Sequence, residues 1–152
     1  VDEVTKKLES LGATKTFEGE VKGVYFKTCN GTILRLRKRG EIFELTYKKK
    51  ISVDDCKVMQ EIETNVSDYE STKKILEGVG FTIEEPFEKH RVSWSLGDTH
   101  FEFDTFAGVP TFLEIEAPTV DVIRDFVTKL GFTMQDAKPW SSGQLLEHYG
   151  RK

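Results

Sequence analysis

The sequence predicts an α+β fold in which helices cover one face of an antiparallel β-sheet. Three observations support this prediction: helical spacing of apolar residues in three segments, alternation of apolar and polar residues between them, and short glycine-containing turns. A chain of 152 residues that is 38% apolar can bury one substantial core. We therefore expect a single domain over residues 1–152.

Three helices are predicted from apolar residues that recur every three or four positions. These residues are Val1, Val4, Leu8 and Leu11; Tyr69, Ile75, Leu76 and Val79; and Val120, Ile123, Phe126, Val127 and Leu130. A glycine follows each segment, in LGAT (11–14), VGFT (79–82) and LGFT (130–133), where a left-handed residue commonly ends a helix. A fourth helix is predicted over 142–149, with Ser141 or Ser142 as its N-cap.

Between the helices the apolar period changes from 3.6 to 2, which is typical of half-buried strands. Eight strands are predicted, over 21–27, 32–38, 42–49, 58–66, 81–84, 89–96, 99–105 and 111–116. The segments RGE (39–41) and LGD (96–98) are short enough to be hairpin turns, each with a glycine available for positive φ. We therefore expect consecutive strands to pair in an antiparallel arrangement.

Charge is sorted along the chain. The formal net charge is −4, yet ILRLRKRGEIFELTYKKK (33–50) holds seven basic side chains against two acidic ones. A net acidic chain argues against coating of a nucleic acid backbone, and no stretch approaches the length of a membrane span. The first residues lack the pattern of a signal peptide, and Cys29 and Cys56 fit reduced thiols. We expect a cytoplasmic protein that binds neither nucleic acid nor membrane.

Alternation places charged residues of like sign on one face of single strands. The pairs are Arg35 with Arg37, Glu61 with Glu63, Lys89 with Arg91, Glu102 with Asp104, and Glu114 with Glu116, while Thr46 shares a face with Lys48. One interpretation is an ordinary solvated face, which is common in antiparallel sheets. The other is a barrel with its charges inward, where a polyanion and its metal ions compensate them. Repulsion between like-charged neighbours favours the second. Carboxylates suit Mg²⁺ or Mn²⁺, and arginines bind phosphate oxygens bidentately.

The order of these residues resembles a known family. LRLRKRGEIFELTYK, then KVMQEIETNVSD, then EKHRVSWSLGDTHFEFDTFAGVPTFLEIEAPT is similar to the CYTH superfamily of triphosphate tunnel metalloenzymes. That superfamily includes class IV adenylate cyclases, thiamine triphosphatases and inorganic tripolyphosphatases. The resemblance runs from about Tyr25 to Leu146 and implies an antiparallel eight-stranded β-barrel, the triphosphate tunnel, with helices packed outside.

The resemblance also implies roles for individual residues. Substrate phosphates would be bound by Arg35, Arg37, Lys48, Lys89 and Arg91. The cofactor, Mg²⁺ or Mn²⁺, would be bound by residues drawn from Glu114, Glu116, Asp104, Glu61 and Glu63. Catalysis is assigned to Lys48, Arg91 and Glu63. The other basic residues of the 33–50 segment are expected to lie outside the site: Lys38, Arg39, Lys49 and Lys50.

Two features depart from the family pattern. The E-x-E-x-K strand that precedes the first helix in the family is missing from the sequence, and we expect it to lie ahead of Val1. Ser142 stands where the family often has a tyrosine.

The leading functional expectation is metal-dependent hydrolysis of a nucleoside triphosphate, thiamine triphosphate or inorganic tripolyphosphate. One alternative is conversion of ATP to cyclic AMP and pyrophosphate, and another is a module that binds nucleotide or polyphosphate without turnover. The chain has no G-x-x-x-x-G-K-[ST] loop, so side chains must bind the phosphates. The expected partner is a small-molecule triphosphate, and the oligomeric state is left open between monomer and homodimer.

Overall fold

The structure is a computed structural model that describes residues 1–54 and 56–150, within which there are four helices and seven strands. The helices are α1 (Asp2–Ser10), α2 (Tyr69–Gly78), α3 (Val120–Lys129) and α4 (Ser142–His148). The strands are β1 (Thr14–Phe26), β2 (Thr32–Arg39), β3 (Ile42–Val53), β4 (Lys57–Val66), β5 (Ile83–Leu96), β6 (Thr99–Thr105) and β7 (Phe112–Glu116). They form one sheet in the order β4-β3-β2-β1-β5-β6-β7. The predicted α+β class with an antiparallel sheet is confirmed.

The described part of the chain contains seven strands, and the prediction of eight was wrong. Residues 83–84 of the segment predicted at 81–84 and the whole of the segment predicted at 89–96 belong to one strand, β5. Pro86 lies ahead of the residues that pair with β6, His90–Leu96, so its missing N–H removes no hydrogen bond from that pairing. β1 begins at Thr14, seven residues before the predicted start at residue 21. The prediction missed these residues because TKTFEGE (14–20) has too few apolar residues to show alternation.

Glycines end three of the helices as the sequence predicts. Gly12, Gly80 and Gly131 follow α1, α2 and α3 and have φ values of 88°, 106° and 88°. These angles lie in the left-handed region, which glycine adopts without the steric penalty of a Cβ atom. Ser141 is the N-cap of α4, since its hydroxyl accepts from the backbone N–H of Gln144 at 3.2 Å. The four predicted helices are therefore confirmed.

The chain divides into two compact units that alternate along the sequence. The first unit comprises Val1–Glu18, Val53–Lys57 and His90–Lys152, and the second comprises Gly19–Ser52 and Val58–Lys89. Each unit has its own apolar cluster and its own charged cluster, and each is described by itself.

In the first unit, α1 and α3 cover the apolar face of β5, β6 and β7. The buried cluster consists of Leu8, Ala13, Trp94, Phe101, Phe103, Phe126 and Leu130. Leu8 and Phe101 are fully buried, and Phe101 contacts Phe126 edge to face at 5.0 Å between ring centroids. Arg91 of β5 and the acidic residues of β6 and β7 have the other parity, so they project from the face that these helices do not cover.

In the second unit, α2 packs against the apolar face of β1, β2 and β3. Val24, Phe26 and Leu36 form the buried cluster, and Tyr69 and Leu76 of α2 pack against it. Asp68 is the N-cap of α2 and accepts from the backbone N–H of Ser71 at 2.6 Å. No helix in the described part of the chain is long and apolar enough to cross a membrane.

Candidate functional site

The second unit brings its charged residues together through strand register. β2 pairs with β3 so that Arg35 lies opposite Thr46 and Arg37 lies opposite Glu44. These side chains and their neighbours form what we call the basic cluster: Arg35, Arg37, Arg39, Glu44, Thr46, Lys48, Glu61 and Glu63.

Burial distinguishes this cluster from an ordinary charged surface. Arg35 is 9% exposed, Arg37 is 8% exposed and Glu44 is 2% exposed. Charged side chains are rarely this buried unless ion pairs or a ligand compensate them. The solvated-face interpretation of the sequence was therefore wrong for these residues.

Glu44 joins two arginines of the basic cluster. The Nε–H of Arg37 donates to Glu44 Oε2, and an Nη2–H of Arg39 donates to Glu44 Oε1 at 2.9 Å. Burial by itself raises the pKa of Glu44, but the charges and hydrogen bonds of Arg37 and Arg39 outweigh it and lower that pKa below its ordinary value. Glu44 is therefore a carboxylate held ionised by its neighbours.

Thr46 and Glu63 contact the other side of the basic cluster. The Thr46 hydroxyl, which is fully buried, donates to Glu63 Oε2 at 2.7 Å and accepts from Arg35 Nη2 at 3.4 Å. Glu63 Oε2 is 3.8 Å from Nη2 of both Arg35 and Arg37. Arg35 Nε is buried and has no hydrogen-bond partner among residues 1–54 and 56–150. Arg35 is thus a buried cation with weak compensation.

The lysines of β3 differ in burial. Lys48 is half-buried, and its ammonium lies 3.0 Å from Glu61 Oε2, whereas Lys49 and Lys50 are exposed. Lys89 is 6% exposed. Arg39, which the sequence places outside the site, shares the face of Arg35 and Arg37 and donates to Glu44.

The first unit contains a second set of charged residues, which we call the acidic cluster: Arg91, Ser93, Glu102, Asp104 and Glu114. Register creates it, since Arg91 lies opposite Asp104, and Glu102 lies opposite both Ser93 and Glu114. Arg91 donates to Asp104 bidentately, with both N···O distances at 2.6 Å. Bidentate pairing of this kind is the strongest form of a charged hydrogen bond.

Arg91 is shared among three carboxylates. Its Nη2 also donates to Glu114 at 3.1 Å, and its Nε lies 3.4 Å from Glu102 Oε2. Burial alone would lower the pKa of Arg91, but hydrogen bonds to Asp104 and the charges of Asp104, Glu102 and Glu114 raise that pKa above its ordinary value. Arg91 is therefore a permanent cation.

The predicted metal ligands of the first unit differ in how exposed their side chains are. Asp104 is fully buried against Arg91, the Glu114 side chain is 35% exposed, and Glu116 is exposed opposite His100. Among residues 1–54 and 56–150, no three Asp, Glu, His or Cys side chains are grouped so that they could hold a metal ion. Mg²⁺ often needs only one or two carboxylates, because substrate phosphates and water supply its other ligands. The donors present fit a metal that binds together with a phosphate chain.

Four residues of the two clusters were not assigned to the site from the sequence. They are Arg39, Glu44, Ser93 and Glu102. Parity alone could have placed Arg39 beside Arg37 and Glu44 beside Thr46. The pairing between strands needs register, which the sequence does not give directly.

A cavity of about 650 Å³ lies elsewhere in the second unit. Its lining includes Leu34, Tyr47 and Phe81, and Leu34 and Tyr47 have the opposite parity from the basic cluster. None of the predicted site residues lines it. This cavity is therefore separate from the residues predicted to bind phosphate.

The fold is that of an α+β protein with an antiparallel sheet, and each of its two units has its own charged cluster. The chain belongs to the CYTH domain family, since the CYTH domain matches residues 2–129. The resemblance drawn from the sequence motifs is confirmed. A protein of Methanocaldococcus jannaschii named "putative adenylate cyclase" is 30% identical over 89 residues, or 59% of this chain. The match spans about half of that relative, 51% of its length.

Several solved structures share the fold. A Pyrococcus horikoshii protein superposes with a TM-score of 0.84 and 26% identity, over 95% of this chain and 92% of that one. A conserved hypothetical protein of Pyrococcus furiosus has a TM-score of 0.82 and 21% identity, over 95% and 93%. A Vibrio parahaemolyticus protein described as a "putative adenylate cyclase" has a TM-score of 0.79 and 17% identity, over 96% and 91%. The last two show the fold alone.

Proposed function

We propose that this protein binds a triphosphate and hydrolyses it in a metal-dependent reaction in the cytoplasm. The observation that carries the proposal is the weakly compensated Arg35, a buried guanidinium whose Nε has no hydrogen-bond partner in the part of the chain that the structure describes. A buried cation is costly without compensation, and a phosphate oxygen within reach of Arg35 would supply it. The proposal therefore assigns to the basic cluster an anionic ligand with several oxygens.

The cations are of the types that recognise phosphate. Arginine presents a planar fork that matches two phosphate oxygens, whereas lysine acts as a point charge. We assign phosphate binding to five residues, as the sequence predicts: Arg35, Arg37, Lys48, Lys89 and Arg91. Several cations are needed because a triphosphate carries several negative charges along its length.

The metal is Mg²⁺ or Mn²⁺ in this proposal. Its candidate protein ligands are the five carboxylates named from the sequence, of which Glu114 and Glu116 are the best suited because their side chains are accessible. When bound, the metal would neutralise charge on the phosphate oxygens. Asp104 is assigned a supporting role, because both of its oxygens already accept from Arg91.

The reaction adds water to a terminal phosphorus atom and breaks the bond to the bridging oxygen, so that tripolyphosphate yields phosphate and pyrophosphate. We assign charge stabilisation to Lys48 and Arg91, and orientation of the attacking water to Glu63. The Glu63 side chain is 34% exposed, so it can contact both water and the buried arginines. Burial of the arginines means that they do not need to be reoriented when the phosphates bind.

Phosphate release tests this function. We expect the protein to release phosphate from tripolyphosphate, ATP or thiamine triphosphate when Mg²⁺ or Mn²⁺ is present. Lys48→Ala should reduce the rate at least tenfold, whereas Lys49→Ala, the same change at an exposed neighbour, should leave it unchanged. Equal effects of the two substitutions, or no release from any of the three substrates, would contradict the proposal.

Cyclisation of ATP is the second candidate, and the name of the Methanocaldococcus jannaschii relative favours it. In that reaction the ribose 3′-hydroxyl attacks the α-phosphorus atom and pyrophosphate leaves, so both reactions need cations on the phosphate chain. Product analysis after incubation with ATP separates them. Equal amounts of cyclic AMP and pyrophosphate indicate cyclisation, whereas ADP with phosphate, or AMP with pyrophosphate, indicates hydrolysis. Binding without either product would indicate a module that does not turn over its ligand.

A further inference from the structure

Glu44 is a buried carboxylate that the proposed reaction leaves without a role. It is 2% exposed and accepts hydrogen bonds from Arg37 and Arg39 through its two separate oxygens. Buried charges of this kind commonly serve to hold a partner in one orientation. The orientation of Arg37 is therefore the property that Glu44 affects.

The contact with Glu44 restricts the guanidinium of Arg37. Its Nε edge is bound to Glu44, and because the group is planar, the positions of its terminal nitrogens follow. Nη2 then lies 3.8 Å from Glu63, a contact longer than a hydrogen bond. Of these two carboxylates, Glu63 is the one that a phosphate could replace, because its side chain is 34% exposed while that of Glu44 is 3% exposed.

The backbone around Arg37 is also restricted. Gly23 of β1 lies opposite Arg37, and a Cβ atom at residue 23 would come within 2.9 Å of Arg37 Cα. Such a close approach leaves the strand little room to shift. Both the backbone and the Nε edge of Arg37 are therefore held in place.

We propose that Glu44 is a positioning residue that directs the Nη2 side of Arg37 at a phosphate oxygen of the triphosphate, and that Arg39 anchors Glu44. This inference rests on the proposed function, since it needs a phosphate ligand at Arg37. In this proposal neither Glu44 nor Arg39 contacts the triphosphate, so both are positioning residues and neither is a catalytic residue.

A purely electrostatic role for Glu44 predicts the opposite result. Glu44 is negative, so its neutralisation would make the surroundings more positive and would strengthen the binding of an anion. Loss of positioning would weaken binding, because an unrestrained Arg37 side chain would lose conformational entropy when it binds the phosphate. The sign of the change in affinity distinguishes the two roles.

The test is calorimetric titration of the protein with inorganic tripolyphosphate and Mg²⁺. Glu44→Gln keeps the shape of the side chain and removes its charge, and we expect about tenfold weaker binding. Glu41→Gln is the matched control, because Glu41 is exposed on the same hairpin and the charge change is identical. In an Arg37→Lys background, which lacks the fork that Glu44 orients, Glu44→Gln should change affinity less than about twofold.

The outcomes separate this inference from the proposed function. Absence of tripolyphosphate binding by the unsubstituted protein would overturn both. Normal binding by that protein, with unchanged or tighter binding by Glu44→Gln, would overturn the positioning role alone. That role would also be overturned if Glu44→Gln reduced affinity as much in the Arg37→Lys background as in the unsubstituted protein. Should circular dichroism show that Glu44→Gln does not fold, Glu44→Asp keeps the charge but shortens the side chain. Unchanged binding by Glu44→Asp would then overturn the role.

Discussion

Asp104→Asn would remove one charge from a buried ion pair while keeping the shape of the side chain. Asp104 is fully buried, the Arg91 side chain is 9% exposed, and two N···O distances of 2.6 Å join them. Asparagine can accept one of these two hydrogen bonds but presents an amide donor where the other was accepted. Breaking a buried pair costs about 3–5 kcal/mol. Because one hydrogen bond survives, we expect a loss of about 3 kcal/mol in the free energy of unfolding.

Urea denaturation followed by circular dichroism measures this loss. For a chain of this size, about 3 kcal/mol corresponds to a decrease of about 6–12 °C in Tm. Glu114→Gln is the matched control, because it removes a carboxylate from the same arginine but its side chain is 35% exposed. That control should cost about 1 kcal/mol or less. A loss below about 1 kcal/mol for Asp104→Asn, or equal losses for both variants, would refute the reasoning.

Three further predictions concern the second unit. Gly23→Ala should destabilise the protein by about 1–3 kcal/mol in thermal melts, because the added Cβ atom would collide with the backbone of β2. Gly78→Ala is the control: an added Cβ atom there would meet nothing within 4 Å, so this change should be neutral or stabilising. The free energy of unfolding should fall as the pH drops below about 4.5, because the Glu44 carboxyl, whose pKa is lowered, stabilises the folded state only while it is ionised. In Glu44→Gln this fall should be less steep, because the variant lacks that carboxyl. An equal slope in acid denaturation of both proteins would contradict this. Thr46→Val should cost about 1 kcal/mol in urea denaturation through loss of the 2.7 Å hydrogen bond to Glu63, and no cost would show that this bond does not form.

Much of the fold could be predicted because local signals agreed with one another. The glycines after α1, α2 and α3 mark the helix ends correctly, since a positive φ is a local requirement that glycine meets best. Val92, Trp94, Phe101 and Phe103 have the parity opposite to that of the charged residues, and they lie on the face under the helices. The merger of two predicted strands into β5 was missed, because Pro86 usually interrupts a strand and only the pairing shows that it is tolerated here.

The candidate site could be predicted only in part. Parity places Arg35 beside Arg37 and Glu102 beside Asp104, because residues two apart in a strand share a face. It does not show that Glu44 accepts from Arg37, or that Arg91 is bonded to Asp104. Those partners lie 7 and 13 residues apart in sequence, and they meet through the register of neighbouring strands.

The sequence by itself determined the α+β class, the four helices, the sign of charge on each strand face and the resemblance to the CYTH superfamily. These properties follow from spacing, composition and the order of motifs along one chain. Tertiary structure decided which charged residues are buried and which carboxylate neutralises which cation. Burial and ion pairing depend on what lies across the sheet from a side chain, and that neighbour is set by register and packing. The arginines of ILRLRKRGE therefore differ from ordinary surface cations only in their three-dimensional surroundings.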